Sequence, residues 1–311
     1  MKEHVRALQK TAHSTIIVSL PKEWVKKQKL RAKEKVRVVD TGEFLVISPI
    51  KKEKKKVSIR FDSKEKTFRE IVAKYIQGAE EIVVYFSPER WKEVKEIREQ
   101  TSKKLLGADV TEEKNMLIIE ILPEAEGYSY EKAIRKMLSL LEWELDAFLL
   151  ALENKEHAIL REIRARDDEI DRLALLVERK THTSFCIGEA AKNILLCKSL
   201  ASKLESLGDC FESMAANLLE GLEKLEFRLL TKISRLFAEL REIILLISYA
   251  FFDKNRESAN ELIERGKLFS RKVFRGVEKE RVSEEFLYFL QTLSRSGQIV
   301  KEIGECIIDA L

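Results

Sequence analysis

Cysteine, proline and histidine are scarce in this 311-residue chain, which holds four of each. The cysteines, Cys186, Cys197, Cys210 and Cys306, show no CxxC spacing and fall in segments with helical periodicity. That argues against disulfides and a zinc site and reads as small core residues. The histidines are His4, His13, His157 and His182, and none has a glutamate three residues before it. A ferritin-like diiron oxidase, built on Glu-x-x-His motifs, is thereby disfavoured, and His157 and His182 read as capping or flanking a helix. No glycine-rich phosphate loop and no nucleophile elbow occur, so no enzymatic activity is expected. The longest apolar run lies near Ile243–Phe252, well short of the roughly 20 uncharged residues of a membrane span. No apolar signal segment follows Met1–His4, and a cytoplasmic location is expected.

What is present is charge, unevenly spread. Charged residues make up 35% of the chain, a balance also found in heat-stable proteins, and the 45% of hydrophobic residues suffices to bury cores. The first 60 residues hold 17 Lys/Arg against 6 Asp/Glu, and the remaining 251 hold 40 against 47. A basic head joined to an acidic body suggests a nucleic-acid-binding module wired to a sensor. In the head, period-two segments at Ser14–Leu20, Lys35–Asp40 and Glu43–Ser48, with a turn at Thr41–Gly42, predict short strands. Pro21–Leu30 predicts a helix of about two turns. The basic run Lys51–Lys56 reads either as a DNA-contacting tail or as a solvated linker.

Residues 57–122 alternate strand and helix: Val57–Phe61, Lys64–Gln77, Glu81–Phe86, Pro88–Leu106 and Asn115–Leu122. This predicts a small α/β module. It carries no catalytic constellation, so scaffolding or dimer contact is its expected role. Pro123–Ser129 interrupts the periodicity and marks a boundary. From Tyr130 to Leu311 there is no proline, and apolar residues recur at steps of three and four, which predicts bundled helices. Breaks near Asn154, Thr181–Cys186, Gly221–Glu226, Asp253–Asn255 and Glu278–Ser283 give six helices in two sets of three, and an internal duplication.

In the first set, Asp167 and Asp171 stand four apart, as do Glu205 and Asp209 on the next helix. Each pair lies on one face and borders an apolar seam: Ile159, Ile163, Ile170, Leu173 and Val177 on one helix, Cys197, Ala201, Leu204, Phe211 and Leu218 on the other. Two neighbouring helices could aim four carboxylates at one spot. At an effective dielectric near 20, two such charges about 5 Å apart repel by roughly 3 kcal/mol, which a cation would relieve. Spacing alone is weak evidence, because roughly four or five such acidic pairs arise by chance in about 150 helical residues. Glu142 and Asp146 share the spacing.

The stretch RDDEIDRL followed by LESLGD, with Gly208 just before the second aspartate and two sets of three helices over residues 128–311, resembles the PhoU family of phosphate-uptake regulators, of the archaeal type. The resemblance implies a metal cluster on the bundle surface, with Asp167, Asp171, Glu205 and Asp209 as ligands. All-oxygen ligation suits iron, manganese or magnesium. The second set departs from the pattern: Gly266 and Ser270 stand where Asp167 and Asp171 would, and Ser294 and Gln298 where Glu205 and Asp209 would, with Gly297 retained. At most one cluster per chain is expected.

The stretch STIIVSLPKEW and the closing VRVVDTGEFLVI resemble the AbrB-type swapped-hairpin fold, a strand-rich dimer whose basic face binds DNA. Ala12 and His13 stand where related heads often have glycine. The resemblance implies phosphate contacts from Arg6, Lys10, Lys26 and Lys27, with Arg31 and Lys33 as further candidates, and modest sequence specificity because lysine gives mainly backbone attraction. The expected fold is multidomain α+β: a swapped-hairpin β domain over 1–50, an α/β module over 57–122, and an all-α PhoU-like pair of three-helix bundles over 128–311. The expected function is a homodimeric, DNA-binding, phosphate-responsive regulator. The alternative is an adaptor that dimerises through its head and acts on a phosphate ABC transporter or a sensor kinase.

Overall fold

The computed structural model describes residues 3–11, 15–40, 42, 44–50, 55–122, 127–184, 189–275 and 283–311. Ala12, His13, Thr41, Lys51–Lys54, Pro123–Glu126, Cys186 and the expected break at 278–282 lie outside the described residues. The chain divides into two compact units, Met1–Glu53 and Lys54–Leu311.

The first unit pairs β1 (Gln9–Lys10) with β2 (Ile16–Ile17), and β3 (Val36–Asp40) with β4 (Leu45–Pro49), both antiparallel. Gly42 has φ +86°, and its N–H donates to Asp40 Oδ1 at 2.8 Å, an Asx turn that closes the β3–β4 hairpin. Helix α1 (Lys22–Lys27) starts directly after Pro21, whose fixed φ suits that position. Of the expected strand Ser14–Leu20, Ile16 and Ile17 pair with β1, and Thr15 O accepts from Thr11 N at 2.9 Å.

The second unit opens with β5 (Lys56–Arg60), α2 (Lys64–Ile76), β6 (Glu81–Tyr85), α3 (Trp91–Lys104), β7 (Ala108–Glu113) and β8 (Met116–Ile121). The sheet order is β5-β6-β8-β7, with β5 and β6 parallel and the rest antiparallel. Strand β7 was not expected. It is an edge strand with one buried residue, Val110, so its sequence ADVTEE offers almost no apolar alternation. Ile71, Tyr75, Ile82, Ile97, Leu117 and Ile119 form the module's core.

Among the described residues six α-helices follow: α4 (Tyr130–Asn154), α5 (His157–Thr183), α6 (Glu189–Gly221), α7 (Phe227–Phe252), α8 (Arg256–Phe274) and α9 (Glu284–Ala310). Side-chain caps set several starts: Ser129, Asn255 and Ser283 each accept from an N–H three residues on. Lys155 ends α4 in the left-handed region at φ +53°. The expected seam residues of α5 and α6 are all buried except Ile159, which is half-buried. Both sets of three share one core. Phe148 of α4 stacks on Phe237 of α7 at 4.5 Å between centroids, while Phe211 and Phe289 meet them edge-on.

The α/β module docks on α5. Arg179, 2% exposed, donates to the carbonyls of Tyr75 and Ala79 at 2.6 and 2.9 Å and lies over the Tyr75 ring. Gly78 follows α2 at φ +81°, and a Cβ there would come within 2.4 Å of Thr183 Cγ2. Only glycine meets both demands.

Candidate functional site

Asp167, Asp168 and Asp171 occupy adjoining turns of α5, and Glu205, Asp209 and Glu212 lie along α6. One oxygen from each of Asp167, Asp171 and Asp209 can be chosen so that all three lie within 4.8 Å of one another. Glu205 stands beside this triad: with Asp171 and Lys104 it lines a cavity of about 440 Å³ bounded by α2, α5 and α6. The two helices approach closely because of Gly208, where a Cβ would sit 3.0 Å from Asp167 Oδ1 and 3.1 Å from Ile170 Cδ1.

Gathering these carboxylates is electrostatically costly. Burial, then the charges of Asp171 and Asp209, push the Asp167 carboxyl up to about 7. Burial, then Asp209 and Asp171, push Glu205 up to about 7 as well, while Lys104 acts against the rise. Asp209 is raised by burial and by Asp171, and Arg295 of α9 opposes this. Asp167 Oδ1 is buried and makes no hydrogen bond with any described residue.

Three groups at this site were not anticipated. Lys104, the last residue of α3, donates from Nζ to Asp171 Oδ2 at 3.1 Å and lies 3.7 Å from Asp168 Oδ1. Lys103 pairs with Asp168. The module expected to scaffold thus sets two ammonium groups against the carboxylate face, a contact across 67 residues of sequence that no local pattern announces. The third is Glu144 of α4, 1% exposed, whose Oε2 makes no hydrogen bond with any described residue. Burial, followed by the charge of Asp167, raises its carboxyl well above the usual range. Its place in the seam Met137, Leu140, Leu141, Leu145, Phe148 was the available signal. The flanking pair Glu142 and Asp146 stands elsewhere, with Asp146 paired to Arg241.

His157 and His182 stand apart from the carboxylates: His157 is the first residue of α5, and His182 in its last turn meets Glu178 at 3.2 Å. Cys197 and Cys210 are buried small residues, and Cys306 is half-buried beside Ser199. In the second set the positions matching the carboxylates close up instead. A Cβ on Gly266 would lie 2.7 Å from Gly297 O, and one on Gly297 would lie 2.6 Å from Ser270 Oγ. Ser270 Oγ donates to Ser294 O at 2.9 Å, and Ser294 Oγ returns the bond to Ser270 O at 3.1 Å. Gln298 is exposed.

A family model described as the PhoU domain matches residues 134–218, which include all four expected ligands. These residues form a PhoU domain. The PhoU match ends before α7, so the glycine-packed second set lies beyond it. The solved crystal structure of PhoU from Pseudomonas aeruginosa superposes with a TM-score of 0.52 at 16% identity, covering 60% of this chain and 98% of that one. At that identity the likeness establishes the fold. No curated protein matches the chain.

In the first unit, residues 9–55 match the model described as antidote-toxin recognition MazE, bacterial antitoxin, so the head is MazE/AbrB-like. Arg6 precedes β1, Lys10 ends it, Lys26 and Lys27 form the last turn of α1, and Arg31 and Lys33 follow in the turn before β3. All six are exposed. None of the described residues of this unit is buried, and Leu8 (71%), Ile16 (64%), Val38 (55%) and Leu45 (66%) stand open to solvent.

Proposed function

We propose that this protein is a DNA-binding regulator of phosphate uptake, located in the cytoplasm and acting without catalysis. On this reading the PhoU domain senses phosphate status and the MazE/AbrB-like head acts on DNA as a homodimer. The observation that carries it is the union in one chain of a basic MazE/AbrB-like segment over 9–55 and a PhoU domain over 134–218. The domain limits we favour are 1–50, 57–122 and 128–311. The head has many apolar strand residues and no buried one among those described, so a second copy covering them is the natural way to stabilise it.

The carboxylate site suits a hard cation. It offers oxygen donors alone, and Asp167 Oδ1 is a buried acceptor without a partner among the described residues. Asp167, Asp171 and Asp209 would hold the ion, with Glu205 beside them; iron, manganese and magnesium all fit this donor set. A bound cation neutralises the crowded carboxylates. Lys104 already neutralises Asp171 in part, so the ion and the ammonium compete for that carboxylate, and loading loosens the contact between module and helix.

The test is fluorescence anisotropy on DNA from the gene's upstream region at two salt concentrations, with and without Lys26→Ala plus Lys27→Ala. Affinity should fall steeply with salt, by a log-log slope of about 0.9 per phosphate neutralised, and should drop in the variant. Absence of binding by the unaltered protein at low salt would sink the DNA-binding reading. It would favour the second reading, an adaptor for a phosphate transporter or a sensor, since the exposed apolar strands account for dimerisation without DNA.

A further inference from the structure

The α/β module covers only one face of its sheet. Helices α2 and α3 pack on the face that holds the module's core, and both lie in turn against α5. Among the described residues no other helix of the unit packs on the sheet. The strand registers fix what the opposite face displays, because alternate residues point to opposite sides. One row across β5, β6, β8 and β7 is Ser58, Val83, Ile118 and Thr111, and the next is Arg60, Tyr85, Met116 and Glu113. Their apolar members form a band down the two middle strands, in which Tyr85 is 48% exposed. The remaining row, at one end of the sheet, is Lys56, Glu81, Glu120 and Asp109, and there Lys56 is already held by Glu81 at 2.7 Å. Arg60 at one edge and Asp109 and Glu113 at the other make no ion pair among the described residues.

An apolar band left open on a sheet needs a cover. Nucleic acid is a poor one, since Glu81, Asp109, Glu113 and Glu120 outnumber Lys56 and Arg60 on this face. A second copy of the same sheet fits in one orientation. About a two-fold axis parallel to the strands, β5 of each copy lies over β7 of the other and every row meets its own reverse. A two-fold axis across the strands would set Arg60 over Lys56 and Asp109 over Glu113, like on like. Edge pairing fails in the same way: antiparallel β5 strands would bring Lys56 beside Arg60, and β7 strands Asp109 beside Glu113. We propose that two copies of this chain stack these sheets face to face about the axis parallel to the strands. Arg60 then meets Glu113 of the second copy, Tyr85 meets Met116, and Val83 meets Ile118. Glu81 meets Glu120 at the rim, where the Lys56 of their own row attracts both. Four strands of about five residues span roughly 300 Å² per copy, below the about 800 Å² per partner of a lasting interface. The contact is weak alone and gains strength where the heads already join two chains, so to that extent it rests on the proposed head dimer.

The test is cross-linking of the full chain with a short bis-maleimide, beside sedimentation velocity. Ser58→Cys and Thr111→Cys place thiols at opposite ends of one row, about 14 Å apart within a chain but facing each other across the stacked sheets. The double variant should run as a covalent dimer well above the background of the unaltered chain, and neither single variant should. Adding Arg60→Glu should cut the cross-linked fraction roughly tenfold, and adding Glu113→Arg to that should restore it. A dimer by sedimentation with no cross-link in the double variant would overturn the sheet contact and keep the head dimer. Cross-linking in a chain that sediments as a monomer when dilute would keep the sheet contact and discard the head dimer, and a monomer without cross-link would refute both. Cross-linking by either single variant, or indifference to Arg60→Glu, would overturn the stacked arrangement.

Discussion

Removing charge from the carboxylate face should stabilise the metal-free protein, and lowering the pH should do the same. Asp167 is raised from an ordinary 3.8 to about 7 and Glu205 from 4.5 to about 7. A raised carboxylate keeps its proton in the folded chain after the unfolded chain has lost it. Between about pH 4 and pH 7 the folded state therefore binds more protons, and stability falls as pH rises through that window and levels off above it. Every tenfold weakening of an acid on folding corresponds to about 1.4 kcal/mol. Both groups are partly open to solvent, so halving the sum for screening leaves about 3 kcal/mol lost between roughly pH 5 and pH 8. That corresponds to a fall in melting temperature of roughly 6 °C or more. The assay is thermal unfolding of chelator-treated protein across this range, repeated for Asp167→Asn plus Glu205→Gln. The variant should flatten the profile and melt higher than the unaltered protein at about pH 8. An unaltered protein whose stability is constant or increases from pH 5 to pH 8, or a variant that keeps the slope, would refute the reasoning.

Replacing Lys104 with methionine removes the ammonium that competes at Asp171. Manganese affinity by titration should rise by about tenfold, and amide exchange in α3 should quicken; unchanged affinity would mean that Lys104 is a bystander. Arg179→Met strips the Tyr75 and Ala79 carbonyls of a buried donor. It should cost about 2–4 kcal/mol in denaturant unfolding, and a cost under half of that would show that the docking contact is dispensable. Gly297→Ala drives a Cβ to 2.6 Å from Ser270 Oγ and 2.9 Å from Gly266 O. The backbone cannot yield as a side chain can, so a net loss of about 2 kcal/mol is expected despite the better helix propensity of alanine, and a neutral result would contradict the packing described.

Much of the helical region could be read from the sequence because its boundaries are written in local chemistry. Asn154–Lys155, Asp253–Asn255 and Ser283 each combine a turn or capping residue with a halt in apolar periodicity, and the helices begin or end there. The Asp167/Asp171 and Asp209 juxtaposition was also legible, since it follows from two seams packed on one another. Strand β7 escaped because an edge strand with one buried side chain leaves little alternation. Glu144 escaped because attention to pairs spaced by four picked out Glu142 and Asp146, whereas burial singles out the lone acid in the seam. Lys104 could not be found from sequence at all. Its contact with Asp171 is made when a separately folded α/β layer packs on a helix, and lysine is too common here for any one to stand out.

The Phe148–Phe237 stack joins a helix of the first set to one of the second, inside a single apolar core. A chain cut after Gly221 would leave Phe148 and its neighbours facing water, and the second set alone would lose the opposite ring. Neither half can therefore melt by itself. A cation at the carboxylates of the first set should therefore raise the melting temperature of the second set as well, though it touches no residue there, through cooperativity of unfolding alone.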